Sequence, residues 1–323
     1  MRKREACVQV VKILVGIAAL VLVPAGTVLA QAWPQNPGGY YFKVSGSYLS
    51  TDEEFNFNGD RKPVLNEDGS KMDTSFRDIS FSAYLEYGWL DYLTIVASVP
   101  FKIVTSKETR SLGGLSPTRN ELTNGGLGDL FLGARTPLLR RPFVLSVQGG
   151  VKLPLGYEQN PDNEGPPLGT GEVDAEFALL YGQSLWPLTA YISAGAGYRL
   201  RGGSGARDLA TVGAIGGLND EIFYNVEVGY TAGPVFFKVR FDGLQNTEDP
   251  PDLSGAGTIN PLPGGGGSRI EVVAGDQNVF KLTPGITYSV GENVALSAEL
   301  FHTLAGKNTV TGTAVSLGVV YAR

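Results

Sequence analysis

The sequence is poor in the residues that build disulfides, metal sites and catalytic centres. Cysteine and histidine each occur once in 323 residues, as Cys7 and His302, and methionine occurs twice. Cys7 lies in an N-terminal stretch that we expect to be removed, so the remaining chain has no thiol for a disulfide or a metal. We therefore expect neither a metal site nor a cofactor.

Long apolar runs are also missing. The longest, residues 13–23, is shorter than the ~20 residues that a membrane-spanning helix needs. It follows three basic residues at positions 2–4 and precedes small-residue patterns that end at Ala30 and Ala32. This order of basic residues, apolar run and small residues is typical of a cleaved secretory signal peptide.

The chain accordingly divides into a signal peptide over residues 1–32, cleaved near Ala30 or Ala32, and a single exported domain over residues 33–323. Removal of residues 1–31 takes away four of the 26 basic residues and one of the 32 acidic residues. The exported domain is therefore more acidic than the full chain. This charge argues against a nucleic-acid partner.

Alternation with a period of two runs through the exported domain. From Ile79 to Tyr87, every second residue is apolar or aromatic, and serine, tyrosine or glutamate stands between them. Such alternation is typical of a strand with one apolar and one polar face. Twelve segments of this kind can be counted: about 40–50, 75–87, 92–104, 126–139, 143–156, 172–184, 189–201, 221–231, 234–246, 278–290, 294–304 and 309–321. Single-chain bacterial barrels require an even number of strands.

The connections between these segments alternate in length. Even-numbered connections are tight turns, and only the short connection 305–308 breaks the rhythm. The long, polar connections lie near residues 51–74, 105–125, 157–171, 202–220 and 247–277. An outer-membrane barrel with both termini in the periplasm needs this rhythm, whereas a soluble β-sandwich, the alternative, does not.

We therefore predict an all-β fold, a transmembrane antiparallel up-and-down β-barrel of about twelve strands in the bacterial outer membrane. Its expected partners are outer-membrane lipid, lipopolysaccharide and the barrel insertion machinery. Aromatic residues near the segment ends fit the girdles of such barrels. They are Tyr40, Tyr41, Tyr87, Trp89, Trp186, Tyr198, Tyr230, Tyr288 and Tyr321.

One hairpin resembles a known family. The stretch 125–135 (GGLGDLFLGAR) is followed, after a tight turn, by 149–156 (GGVKLPLG). Together they resemble exported barrels of the "MetA-pathway of phenol degradation" family, which are taken to be outer-membrane transporters. The resemblance implies a passive uptake channel for small organic solutes, with aromatic compounds as one candidate. Fatty-acid and hydrocarbon transporters are related but carry an N-terminal plug. Here only about eight residues separate the expected cleavage site from Tyr40, so we expect no comparable plug.

If the apolar faces meet lipid, the opposite faces line the lumen. The predicted pore-lining residues are Glu86, Lys102, Asp129, Arg135, Lys152, Asp174, Glu176, Arg199, Arg201, Glu227, Lys238, Arg240, Asp242, Lys281 and Glu299. Their signs tend to alternate between neighbouring strands, and opposite charges on adjacent strands attract. We expect Arg199 and Arg201 to face Asp174 and Glu176 on one side and Glu227 on the other. Such charges can form a stiffening ladder of ion pairs, a selective constriction, or both.

An enzyme is the remote alternative. Some outer-membrane barrels are hydrolases with a serine and a histidine, and His302 could be imagined with Thr303 and Ser316 in a triad. The sequence carries no motif of such a hydrolase, so we expect no catalytic residues. A structural or adhesive barrel that transports nothing is the main alternative to a channel.

Overall fold

The computed structural model describes residues 32–56, 58–63, 75–110, 118–157, 166, 168–202, 219–247 and 277–323. In these segments no helix is long and apolar enough to cross a membrane.

Antiparallel strands make up most of the described chain. The large sheet contains β1 Tyr40–Thr51, β4 Ser75–Leu90, β5 Leu93–Arg110, β6 Thr118–Leu127, β7 Asp129–Leu139, β8 Val144–Pro154, β9 Asp174–Ser184, β10 Ala190–Arg201, β11 Glu221–Ala232, β12 Val235–Asn246, β13 Asn278–Ser289, β14 Val294–Lys307 and β16 Thr313–Ala322. A small sheet contains β2 Glu53–Phe55, β3 Arg61–Pro63 and β15 Thr309–Val310.

The large sheet closes on itself. Strands β4 and β5 pair with each other as well as with β1 and β7, so the order β4-β1-β16-β14-β13-β12-β11-β10-β9-β8-β7-β5 has no free edge. Strands β6 and β7 pair with successive parts of β5 and together occupy one position in the wall. The result is the predicted twelve-stranded barrel. Closure satisfies the backbone of every wall strand, which a hydrocarbon environment requires.

The two faces of the wall differ sharply in chemistry. Large apolar side chains on the outer face are exposed, for example Phe177 and Leu317. Polar side chains on the inner face are buried, with Thr94 and Ser146 each at 0% exposure. A charged side chain on a lipid-facing surface costs ~2–4 kcal/mol near the membrane midplane, which explains this one-sidedness.

Short turns lie at one end of the barrel and long connections at the other; we call these the turn end and the loop end. Both termini of the wall meet at the turn end, where the Tyr40 amide donates to the carbonyl of Arg323 at 2.9 Å. The predicted alternation of connection lengths is thus present in the structure.

Two predicted boundaries are wrong. The predicted connection 105–125 is largely strand, because β5 continues to Arg110 and β6 begins at Thr118. The break that divides β6 from β7 falls at Gly128, whose amide donates to the carbonyl of Pro100 at 2.9 Å. Pro100 has no amide hydrogen to donate, so the ladder changes register at this point.

The last predicted strand also begins too early. Residues 309–310 leave the wall and form β15, which pairs with β2 in the small sheet at the loop end. Asn308 permits this departure with a positive φ of 50°, and its amide donates to the Asn56 carbonyl at 3.2 Å. Asparagine adopts this left-handed conformation more readily than most residues. Part of the predicted loop 51–74 is therefore ordered as strands β2 and β3.

Candidate functional site in the barrel lumen

The residues just before β1 fold into the barrel at the turn end. We call residues 32–39 the N-terminal segment. Its Ala32 is 1% exposed, and the Ala32 carbonyl accepts a hydrogen bond from Ser146 at 2.7 Å. The ring of Trp33 lies so close to Gly182 that a Cβ there would come within 2.5 Å of it. Glycine on the wall makes room for the tryptophan.

Polar contacts anchor the next part of the N-terminal segment. The Gln35 amide donates to the Thr94 hydroxyl at 2.9 Å, and Gln35 Nε2 donates to Glu86 Oε2 at 2.8 Å. The Trp33 carbonyl accepts a bond from Arg135 Nη1 at 3.1 Å. The N-terminal segment, which the sequence analysis left without a role, therefore lies inside the barrel at the turn end. Strand periodicity carried no signal for it, because the N-terminal segment is not a strand.

A buried ion pair stands beside this segment. Arg135 Nη2 lies 2.8 Å from Glu86 Oε1, and the two side chains are 1% and 5% exposed. Tyr84 donates its hydroxyl to Glu86, and Arg135 Nε donates to Gln148. Several hydrogen bonds thus surround the pair, which a buried charge requires if it is not to destabilise the fold.

Above the N-terminal segment the lumen widens into a chamber of about 300 Å³. Five aromatic residues contribute to its lining: Tyr41, Tyr84, Tyr191, Phe236 and Phe301. Tyr41 and Tyr84 meet edge to face, with ring centroids 6.1 Å apart, and Tyr191 stacks on Phe236 at 6.0 Å. We call this cavity the lumen chamber.

Charged residues complete the lumen chamber. Glu299 lies 2.7 Å from Lys43 Nζ and 2.6 Å from Lys238 Nζ, and so joins two cations. Lys238 also lies 3.9 Å from Glu227, which accepts the hydroxyl of Tyr191. Aromatic faces and both signs of charge therefore meet in one small cavity.

A second group of charges lies on the loop-end side of the lumen chamber. Asp242 Oδ1 accepts a bond from Arg240 Nε at 2.6 Å and is the register neighbour of Lys281. Lys281 also interacts electrostatically with Lys102 and Asp78, which belong to strands across the lumen. The passage between chamber and loop end thus crosses a level of mixed charge.

At the loop end, one wall carries a continuous chain of ion pairs. In order, its members are Asp129, Lys152, Asp174, Arg201, Glu221, Arg199 and Glu176. Lys152 lies 2.8 Å from Asp129 and 3.4 Å from Asp174. Arg199 lies 2.6 Å from Glu176. We call these seven residues the outer charge network.

A piece of the connection after β8 packs against the outer charge network. Tyr157 donates its hydroxyl to Asp129 and accepts the Gly171 amide at 2.7 Å. Burial, and then the bond to Asp129, raise the pKa of the Tyr157 phenol above its ordinary value. Leu168 is 5% exposed beside it. The described residues of this connection therefore lie on the inner face of the wall and narrow the loop end on one side.

All fifteen predicted pore-lining residues lie on the inner face of the wall, opposite the exposed apolar residues. One predicted partner is wrong. Arg199 and Arg201 pair with Glu176 and Asp174 as expected, but on the other side they pair with Glu221 and not with Glu227. Glu227 faces Ser193 in the register of β10 and β11. Glu221 precedes the apolar alternation of β11 and was missed for that reason.

Two further charged residues of the lumen were also missed, and Tyr41, interpreted from the sequence as a girdle residue, instead lines the lumen chamber. Lys43 lies between Phe42 and Val44, which are exposed on the outer face. The alternation of faces along β1 therefore predicts that Lys43 points into the lumen, where it pairs with Glu299. Asp78 stands near the loop end of β4, where the sequence shows no apolar alternation to set the face.

The imagined hydrolase triad does not assemble. His302 lies on the outer face, where its Nδ1 is 2.8 Å from the Thr313 hydroxyl. Ser316 and Thr303 are buried on the inner face. The wall therefore separates the histidine from both hydroxyls, and a general base must reach its nucleophile. Nor does the described part of the chain bring together three side chains suited to a metal ion.

Comparison with known proteins identifies the family. The model of the MetA-pathway of phenol degradation family matches residues 81–318. The chain belongs to this family. The resemblance seen in the hairpin around β7 and β8 is thereby confirmed over most of the barrel. No curated protein sequence matches the chain.

Solved structures support the fold. The COG4313 outer membrane channel from Pseudomonas putida F1 is 14% identical, with a TM-score of 0.63 over 92% of this chain and 100% of that one. At this identity the likeness concerns the fold alone. The NanC porin (TM-score 0.49, 9% identity, 87% and 98% coverage) and the toluene transporter of Ralstonia pickettii (0.44, 12%, 89% and 92%) are more distant.

Proposed function

We propose that this family member is a passive channel of the bacterial outer membrane through which small organic solutes, aromatic ones among them, enter the cell. The lumen chamber carries the proposal. A cavity of about 300 Å³ lies at the small end of the ~300–1,000 Å³ typical of ligand pockets. Its aromatic faces and charged groups suit a small ring that bears a polar substituent.

The outer surface supports the proposed location. Exposed apolar residues cover the barrel, and Trp89 and Trp186 are 63% and 81% exposed near the turn end. Tryptophan at such a level is typical of the interface between hydrocarbon and headgroups. We assign the turn end to the periplasm and the loop end to the outside, where lipopolysaccharide would surround it. Outer-membrane lipid and the barrel insertion machinery are the other proposed partners.

A barrel that transports nothing is the second candidate. The N-terminal segment and the many ion pairs fill much of the interior, which favours that function. Conductance decides between the two. Purified protein in a planar bilayer should show small steps in conductance, and phenol added to the bath should reduce the size of these steps. If there are no steps, and liposomes with the protein do not swell in small solutes, the protein is a structural barrel.

A matched pair of variants tests whether solutes pass through the lumen chamber. Ser82 lines the chamber, with its hydroxyl 2.9 Å from that of Ser45, whereas the next residue, Ala83, faces outward. Ser82→Phe should fill the chamber and lower conductance, and Ala83→Phe should not. Equal conductance in both variants would show that solutes do not cross the chamber.

A further inference from the structure

Two lysines of the lumen differ from every other cation on the inner face of the described wall. Seven of those cations lie within 4.0 Å of a carboxylate: Lys43, Arg135, Lys152, Arg199, Arg201, Lys238 and Arg240. Among the described residues, Lys102 and Lys281 have no such partner. An ion pair has a short-ranged field, whereas an ammonium that forms no ion pair acts more strongly on a charged solute that passes it.

The two lysines lie on well-separated strands of the wall and act on each other across the lumen. Lys102 belongs to β5 and Lys281 to β13, and in the closed order β13 is the fifth strand from β5. Lys281 is exposed to the lumen and interacts electrostatically with Lys102. Two like charges that face each other do not stabilise a fold. The interaction between the two lysines therefore does not itself stabilise the barrel.

Two carboxylates, Asp242 and Asp78, lie at the same level and act electrostatically on Lys281 without forming an ion pair with it. Ser80 donates its hydroxyl to Asp78, and Arg240 donates to Asp242 at 2.6 Å. The three cations Lys102, Lys281 and Arg240 thus exceed the two carboxylates at the same level by one charge. This surplus lies where the passage from the loop end enters the lumen chamber, since Arg240 itself lines the chamber.

We propose that Lys102 and Lys281 select solutes by charge and admit small organic anions, such as ring compounds with a carboxylate or phenolate group, to the lumen chamber. The inference rests on the proposed channel function and adds the charge of its substrates. Neither lysine is held in an ion pair, so each can turn toward an anion without breaking a contact that holds the barrel together. The aromatic lining below would then receive the ring of the solute.

The test is the reversal potential of the full protein in a planar bilayer under a gradient of potassium chloride, and then of potassium benzoate. The unaltered protein should prefer the anion in both salts. The double variant Lys102→Gln/Lys281→Gln should lower the anion-to-cation permeability ratio by roughly threefold for each charge removed, as expected for a unit charge a few ångströms away in an aqueous pore. Lys102→Arg/Lys281→Arg should keep the ratio of the unaltered protein.

A third variant controls for position. Lys107 lies on β5 like Lys102, but nearer its loop end, where it pairs with Glu121 of β6 at 3.2 Å. Lys107→Gln should therefore leave the ratio unchanged. Conduction with the same ratio in the double glutamine variant would overturn the inference alone, as would a preference for potassium in the unaltered protein. A complete lack of conductance in the unaltered protein would instead overturn the channel function and the inference with it.

Discussion

The two ends of the lumen bury charge in different ways. At the turn end, Arg135 has one carboxylate partner, Glu86. At the loop end, Arg201 is almost as buried, at 3% exposure, but it has two carboxylate partners, Asp174 and Glu221. Each of those carboxylates has a second cation in the outer charge network. At the turn end, Arg135 and Glu86 therefore each have one partner of opposite charge. At the loop end, Arg201, Asp174 and Glu221 each have two, so the compensation there is redundant.

The difference follows from what each end holds in place. Arg135 and Glu86 each form one further hydrogen bond to the N-terminal segment, Arg135 to the Trp33 carbonyl and Glu86 to the Gln35 amide group. The outer charge network joins five successive wall strands, from β7 to β11, to one another. One cluster fixes a piece of chain inside the lumen, and the other stiffens the wall. Four experiments test this comparison.

The first experiment tests which end faces outward, and its expected effect is all or none. Asn58 is exposed at the loop end, and Asn293 is exposed in a turn at the other end. In intact cells, an impermeant maleimide should label Asn58→Cys and leave Asn293→Cys unlabelled. Both variants should react after the cells are broken, which controls for accessibility. The opposite pattern would reverse the proposed orientation.

The second experiment removes the single cation at the turn end. Arg135→Ala leaves Glu86 buried with only the neutral donors Gln35 and Tyr84. Loss of one partner from a buried ion pair costs about 3–5 kcal/mol, so the free energy of unfolding should fall by that order. Urea unfolding of the protein in detergent micelles measures it. Glu86→Gln/Arg135→Met should recover part of the loss, because it removes both charges. No recovery would mean that the loss in Arg135→Ala is one of packing.

The third experiment removes the N-terminal segment from the lumen. Deletion of residues 33–37 leaves the processing region and the first residue of β1 in place. The conductance of single channels should rise severalfold, because Trp33 and Gln35 no longer occupy the turn end. The wall should persist, as judged by unfolding in urea. Unchanged conductance would place the narrowest part of the path elsewhere. The next candidate is the level of Lys102 and Lys281.

These experiments also separate what the sequence could predict from what it could not. The face of each charged residue follows from its parity within one strand, which is a local property. For that reason the inner-face position of Glu176 or Lys238 can be predicted from the alternation alone. The pairing of Arg199 with Glu221 depends on the register between two strands, which the connection and the closure of the barrel determine.

The N-terminal segment was beyond prediction for a related reason. Its Gln35 bonds to Glu86, 51 positions later in the sequence, and to Thr94, 59 positions later. These two residues belong to different strands, β4 and β5. Hydrophobic periodicity cannot predict such a contact, because the segment has neither helix nor strand geometry. The glycine at position 182, which makes room for Trp33, looks like any other of the 44 glycines.

The fourth experiment repeats the arginine substitution at the loop end and should have the smallest effect. In Arg201→Ala, Asp174 keeps Lys152 at 3.4 Å, and Glu221 keeps Arg199. Arg201 Nε has no hydrogen-bond partner in the described structure, so its removal breaks fewer bonds than the count of donors suggests.

Since no carboxylate is left without a cation, the loss should resemble that of hydrogen bonds to charged groups, about 1.5–3 kcal/mol, and so be smaller than that of Arg135→Ala. Urea unfolding under the conditions used for Arg135→Ala makes the two values comparable. A combination with Lys152→Met should cost more than the sum of the single changes, because Asp174, at 0% exposure, then loses both of its cations. If Arg201→Ala alone destabilises as much as Arg135→Ala, the outer charge network is not redundant, and the proposed difference between the two ends is wrong.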